Sequence, residues 1–212
     1  MPITVKPRSV RENNPMDVSL IAPPQPYKGL IFDCDGTLAD TMPTHAKAWV
    51  ATYKSFNIAI DAEPFIVMGG LPNRAIIEKL NRDLGQTLDV EETQERKEKL
   101  YVDMMHSITE IVAVTDIARA HKGIVPISVA SSGMGRIVRQ TLTNTGLIDL
   151  FDVIVTADDV VNAKPAPDIF LLAAERMGIA PADCIVYEDG DPGIEAAHRA
   201  GMRVIDVRVL WR

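Results

Sequence analysis

Gly29-Leu30-Ile31-Phe32-Asp33-Cys34-Asp35-Gly36-Thr37-Leu38-Ala39-Asp40 is the stretch whose reading decides the fold. The apolar run Leu30-Ile31-Phe32 predicts a short buried strand. It ends in two aspartates one residue apart, and Gly36 then turns the chain. In an open α/β sheet, ligands bind beyond the carboxyl ends of the strands. Period two sets Asp33 and Asp35 on one side of the strand tip and Cys34 on the other. Two carboxylates that close repel unless something neutralises them. A hard cation such as Mg²⁺ would do so. Otherwise one carboxyl stays protonated as an acid while the other is an ionised nucleophile or ligand. A solvent-exposed turn is the alternative for this pair read alone.

The flanking sequence supplies the rest of the sheet. Val125–Ala130, Phe151–Val155, Cys184–Tyr187 and Arg203–Val207 read as strands, and helices are expected over 110–121, 134–145, 168–177 and 192–200. Strands alternating with helices predict a parallel sheet covered on both faces. Residues 41–107 lack a β-rich run. Helices are expected there over 43–57, 62–68, 73–84 and 89–107, with Pro43 suited to a first turn. The partition is therefore an irregular Pro-rich arm over 1–26, an α/β body over 27–40 and 108–212, and a helical block over 41–107 inserted into it.

Composition narrows the partners. The 212 residues are 47% hydrophobic and 24% charged, with a formal net charge of −7. That allows one sizeable core and a smaller satellite. With no basic block and 5% aromatic residues, nucleic acid and anionic membrane are not expected partners. Residues 1–26 lack the apolar core of a signal peptide, and no stretch is long and apolar enough to span a bilayer. The two cysteines, Cys34 and Cys184, sit in apolar runs and read as buried thiols of a cytoplasmic protein.

Four strand ends carry polar groups that a parallel sheet would bring together: Asp33 with Asp35, Ser131 with Ser132, Lys164, and Glu188 with Asp189. Such a set suits a phosphate ester. Carboxylates hold a metal, and hydroxyl and backbone N–H groups hold phosphate oxygens. A lysine offsets charge on nucleophile and phosphate at once. Read singly, Ser131 could merely cap the next helix, and Lys164 could lie on the surface. No P-loop glycine-lysine motif competes for the phosphate.

These residues carry a resemblance. Asp33-Cys34-Asp35-Gly36-Thr37-Leu38-Ala39-Asp40, Ala130-Ser131-Ser132, Lys164-Pro165-Ala166-Pro167-Asp168-Ile169-Phe170, and Tyr187-Glu188-Asp189 with Gly193 are ordered as in the haloacid dehalogenase superfamily. The chain resembles the β-phosphoglucomutase-like subgroup of that superfamily over residues 27–210. Within it, Thr44-His45, the loop from Gly70 to Arg74 and Asp206–Leu210 are similar to bacterial fructose-1-phosphatase-like sugar phosphatases.

The resemblance implies an α/β fold, a Rossmann-like parallel-sheet core with an inserted all-helical cap. It implies that Asp33 is the nucleophile, forming an aspartyl-phosphate, and a Mg²⁺ ligand. Asp35 would protonate the leaving oxygen, deprotonate the attacking water and lend the metal its backbone carbonyl. Ser131 would hold the phosphoryl group, with Ser132 a further substrate-binding candidate, and Lys164 would pair with Asp33 and the phosphate. Asp189 and Glu188 would complete the metal site. An acid at Asp35 favours phosphate esters over haloacids, because a sugar alkoxide leaves poorly.

In the helical block, His45, Gly70 and Arg74 are the substrate-binding candidates, with Arg74 suited to sugar hydroxyls or a second anion. Lys47 leaves open a Schiff-base branch. Gly69 stands where mutases of the subgroup carry lysine. That favours release to water over rebinding of a bisphosphate, although Arg96, Lys97 or Lys99 could substitute. The expected activity is a Mg²⁺-dependent phosphatase acting on a small phosphorylated sugar such as fructose 1-phosphate. The alternative is a β-phosphoglucomutase interconverting β-glucose 1-phosphate and glucose 6-phosphate. A monomer is expected, with a dimer as the other possibility.

Overall fold

The computed structural model describes residues 18–69 and 71–211. The outer part of the expected arm, Gly70 and Arg212 lie outside the described residues. The chain divides into two compact units. One is helical and spans Thr41–Ile108, and the other combines residues 18–40 with 109–211 around a sheet.

Five parallel strands form that sheet: β1 (Gly29–Phe32), β2 (Ile127–Ala130), β3 (Val153–Val155), β4 (Cys184–Glu188) and β5 (Arg203–Asp206). Their spatial order is β3-β2-β1-β4-β5. β1 is central, with Leu30 opposite Ile127 on one side and Ile185 on the other. Its four residues are all buried. This is why the run shows no polar alternation.

Period two divides the apolar side chains between two faces. Leu30, Phe32, Val129, Ile185 and Tyr187 pack with Val114 and Ala118 of α5 (Val112–His121) and with Val138 and Leu142 of α6 (Gly135–Asn144). Ile31, Ala130, Val155 and Val186 pack with Ile169, Phe170, Ala173 and Ala174 of α7 (Asp168–Met177). On the same face lie Ala196 and Ala197 of α8 (Asp191–Arg199). The small residues of α7 and α8 let the helices approach the sheet closely.

The inner end of the expected arm is ordered. Val18–Ile21 is a short 3₁₀ helix with Ile21 fully buried. The Tyr187 hydroxyl donates to the Ile21 carbonyl at 2.9 Å, and Arg203 donates to the carbonyls of Pro24 and Pro26. The strand reading misses this segment because the contacts holding it come from β4 and β5, far away in the chain.

The helical unit contains α1 (Met42–Ser55), α2 (Glu63–Val67), α3 (Asn73–Asp83) and α4 (Val90–Met104). Pro43 lies in the first turn of α1. Asp89 caps α4 by accepting from the Glu92 N–H at 2.8 Å. Trp49 and Tyr53 of α1 pack with Phe65, Ile76, Ile77 and Leu80. Trp49 and Phe65 stack with centroids 5.5 Å apart. Among the described residues, no helix is long and apolar enough to cross a membrane.

Both cysteines are buried free thiols. Burial pushes the Cys34 thiol well above its usual range, helped by Asp35 and Asp33, and pushes Cys184 up to about 11. A disulfide-forming thiol reagent at pH 8 is therefore expected to titrate neither cysteine in the native protein and both in denaturant. Rapid native labelling of Cys34 would contradict the packing beneath the double-aspartate loop.

Candidate active site

The carboxyl edge of the sheet gathers side chains from four strand ends. At the tip of β1 the Asp33 N–H still bonds the Tyr187 carbonyl at 3.0 Å, which extends the ladder one residue past the strand. The chain then closes a tight loop, with the Leu38 and Ala39 N–H groups donating to the Cys34 carbonyl at 3.0 Å. Cys34 and Leu38 drop into the core, while Asp33 is 5% exposed and faces Lys164. Gly36 has φ 88°, and a Cβ there would strike the Asp189 carboxylate. Glycine is required twice over, by its backbone and by the acid packed against it.

Lys164 is the hub. It is 7% exposed. Its Nζ donates to Asp33 Oδ1 at 2.8 Å, Glu188 Oε2 at 2.8 Å and the Ala130 carbonyl at 3.2 Å. Burial works against its charge, but Asp33 and Glu188 outweigh burial and hold Lys164 above the usual lysine range. Glu188 is equally engaged. Its Oε1 accepts from the N–H groups of Asp189 and Gly190 at 3.0 and 2.9 Å. Gly193 sits against the Glu188 carboxylate so closely that a Cβ would collide with it.

Burial, followed by the charge of Glu188, raises the Asp33 carboxyl well above the ordinary carboxylate range; Asp189 and Asp35 add to this and Lys164 opposes it. Asp33, Glu188 and Asp189 each offer a carboxylate oxygen, all within 4.8 Å of one another. Oxygen-only donors with excess negative charge fit a hard divalent cation such as Mg²⁺. Thr37 Oγ1 donates to Asp189 at 3.4 Å.

Asp35 is half-buried, and the Ser131 hydroxyl donates to its Oδ2 at 3.3 Å. Ser131 is itself buried and accepts from the Gly133 N–H at 3.1 Å. It does not cap α6, whose first N–H, from Gly135, goes to Asp158 at 2.9 Å. Ser132 is exposed and lines a small cleft with Val160, Ala163 and Lys164.

The other candidates belong to the helical unit. Lys97 is 3% exposed, and its Nζ lies 2.9 Å from His45 Nδ1. The His45 ring stacks on Tyr101 with centroids 4.1 Å apart. Arg74 is exposed and ion-paired with Glu91 and Glu78. Arg96 reaches Glu92 and the Phe56 ring, and Lys47 is exposed. Gly69 abuts the Met42 side chain, 2.5 Å from where a Cβ would stand. Sequence reasoning overlooked Thr37, Asp158 and the burial of Lys97. For Lys97, the signal was its helical spacing from Tyr101.

Comparison with known proteins places this geometry. The family described as haloacid dehalogenase-like hydrolase matches residues 30–207. The chain belongs to that family. Fructose-1-phosphate phosphatase YqaB of Escherichia coli (strain K12) is 39% identical over 188 residues, covering 87% of this chain and 98% of that protein. Beta-phosphoglucomutase of Bacillus subtilis (strain 168) is 30% identical over 189 residues, covering 85% and 83%. Among solved structures, CbbY of Rhodobacter sphaeroides in complex with xylulose-(1,5)bisphosphate gives a TM-score of 0.76 at 25% identity, over 85% of this chain and 86% of that chain.

The raised Asp33 carboxyl has a consequence for stability. The folded state binds its proton more tightly than the unfolded state. That contribution is present at low pH and is lost as pH rises from about 4 through the folded value. In EDTA, the urea stability of the wild type relative to Asp33→Asn is expected to fall as pH is raised from 4 to 8. A difference that stays flat across this range would contradict the burial of an ionisable Asp33.

Proposed function

We propose that this haloacid dehalogenase-like hydrolase is a Mg²⁺-dependent phosphatase of small sugar phosphates, with fructose 1-phosphate the first candidate substrate. One observation carries the reading: a buried lysine bonds a strand-end aspartate and a glutamate at 2.8 Å each, with further acids at the same edge. The 39% identity to a fructose-1-phosphate phosphatase supports the choice of sugar.

In this reading an Asp33 oxygen attacks phosphorus. The bond to the sugar oxygen breaks, and Asp35 gives that oxygen a proton. Water then attacks the aspartyl-phosphate, Asp35 takes up its proton, and phosphate leaves with Asp33 restored. Lys164 opposes the burial that raises Asp33 and offsets the charge on its carboxylate when it attacks. Ser131 and the N–H groups near it hold phosphoryl oxygens. Asp33, Asp189 and the Asp35 carbonyl would hold Mg²⁺, with Glu188 beside them. When bound, the cation neutralises charge on these carboxylates and on the transferring phosphoryl group. Ser132, His45, Gly70 and Arg74 remain the candidates for recognising the substrate. The protein is read as acting in the cytoplasm as a monomer, with a dimer as the alternative.

Similarity to a beta-phosphoglucomutase makes the mutase the second reading. The two separate in one assay. Phosphate release is measured from fructose 1-phosphate, β-glucose 1-phosphate, glucose 6-phosphate and phosphogluconate, with Mg²⁺ and with EDTA. Release that needs Mg²⁺ is expected. Asp33→Asn should lower it by at least about three orders of magnitude, and Asp35→Asn by about 10²–10⁴-fold. No release, together with bisphosphate-activated conversion of β-glucose 1-phosphate to glucose 6-phosphate, would replace the phosphatase with the mutase.

A further inference from the structure

Lys164 has one neighbour that the mechanism above does not use. The Phe170 ring centroid lies 4.8 Å from its Nζ. Phe170 is fully buried, at the third position of α7, in the core cluster that also holds Ile31, Ala130, Val155 and Val186. The ring is therefore fixed by the sheet and cannot follow the lysine if the lysine moves.

The ammonium has three N–H bonds, and all three already have acceptors: Asp33, Glu188 and the Ala130 carbonyl. Two of these acceptors are carboxylates on different strands, one beyond β1 and the other ending β4. Either could draw the flexible four-carbon stem to itself. An aromatic face supplies attraction without consuming an N–H, because its quadrupole is negative above the ring. The attraction is strongest where both partners are desolvated, and here both are buried. A leucine would fill much of the same volume but would offer the charge nothing.

We propose that Phe170 is a positioning residue: its ring face seats the Lys164 ammonium where it bonds Asp33 and Glu188 together. This deepens the proposed function and rests on it to the extent that Lys164 acts on Asp33.

The test changes the ring's electrons and keeps its shape. Mono-, di- and trifluorinated phenylalanines are placed at 170 in the full chain, and kcat/KM for p-nitrophenyl phosphate is measured with Mg²⁺. A stepwise fall of about tenfold in total is expected, at unchanged Tm. The same series at Phe151, which packs against Phe32 on the opposite face of the sheet, should leave the rate unchanged. A rate indifferent to fluorination at 170, or falling equally at 151, overturns the proposal.

A second arm needs no activity. The fluorine resonance of monofluorinated Phe170 should move in Lys164→Met, and that of Phe151 should not. A Phe170 signal that ignores the loss of the ammonium also overturns the proposal. If the wild type hydrolyses no phosphate ester, the phosphatase reading fails while this arm still decides the role of Phe170.

Discussion

The site depends on one buried charge. Removing an ammonium from water costs several kcal/mol, and its attraction to a carboxylate recovers that only when its donors are satisfied. Lys164 meets the condition with three acceptors. The arrangement is nonetheless lopsided. One cation faces Asp33 and Glu188 directly, and Asp35 and Asp189 add their charge to the same region. A phosphate ester brought to this edge would add further negative charge. A divalent cation is thus the chemical complement of the site before any substrate is considered. The protein's own lysine balances only part of the charge.

That deficit explains the local backbone. The acids can crowd together only where the chain leaves them room, and glycine provides it. Gly36 lies against Asp189, and Gly193 lies against Glu188. Glu188 in turn organises the turn after β4, because its second oxygen takes the N–H groups of Asp189 and Gly190. One side chain therefore holds Lys164 with one oxygen and shapes the loop carrying Asp189 with the other. Truncating Glu188 would disturb the charge and the loop together, so its effect could not be assigned to either alone.

Much of this edge was legible in the sequence, for a geometric reason. Parallel strands all end on the same side, so polar residues that follow apolar runs converge whatever their separation along the chain. Lys164 lies 131 residues from Asp33, and no local pattern links them. The alternation of strands and helices does. What escaped was whatever depends on packing rather than order. Phe170 stands in the motif that begins at Lys164, but only coordinates set its ring beside the ammonium. The short helix over Val18–Ile21 is held by Tyr187 and the stretch after it by Arg203, which no periodicity around residue 18 announces.

The helical unit was less legible because its polar residues have competing partners within the unit. Arg74 and Lys97 look alike in the sequence, as cations on amphipathic helices. Arg74 is spent on surface acids, where an ion pair contributes little. Lys97 is buried, on His45 and among aromatic rings. A surface pair of that strength can exchange for a ligand anion at little cost. A buried lysine bonded to a histidine cannot be exchanged without rebuilding its surroundings. Arg74 is therefore the cation of the two whose present partners are the easier to displace. Within the unit, His45 bonds Lys97 and stacks on Tyr101.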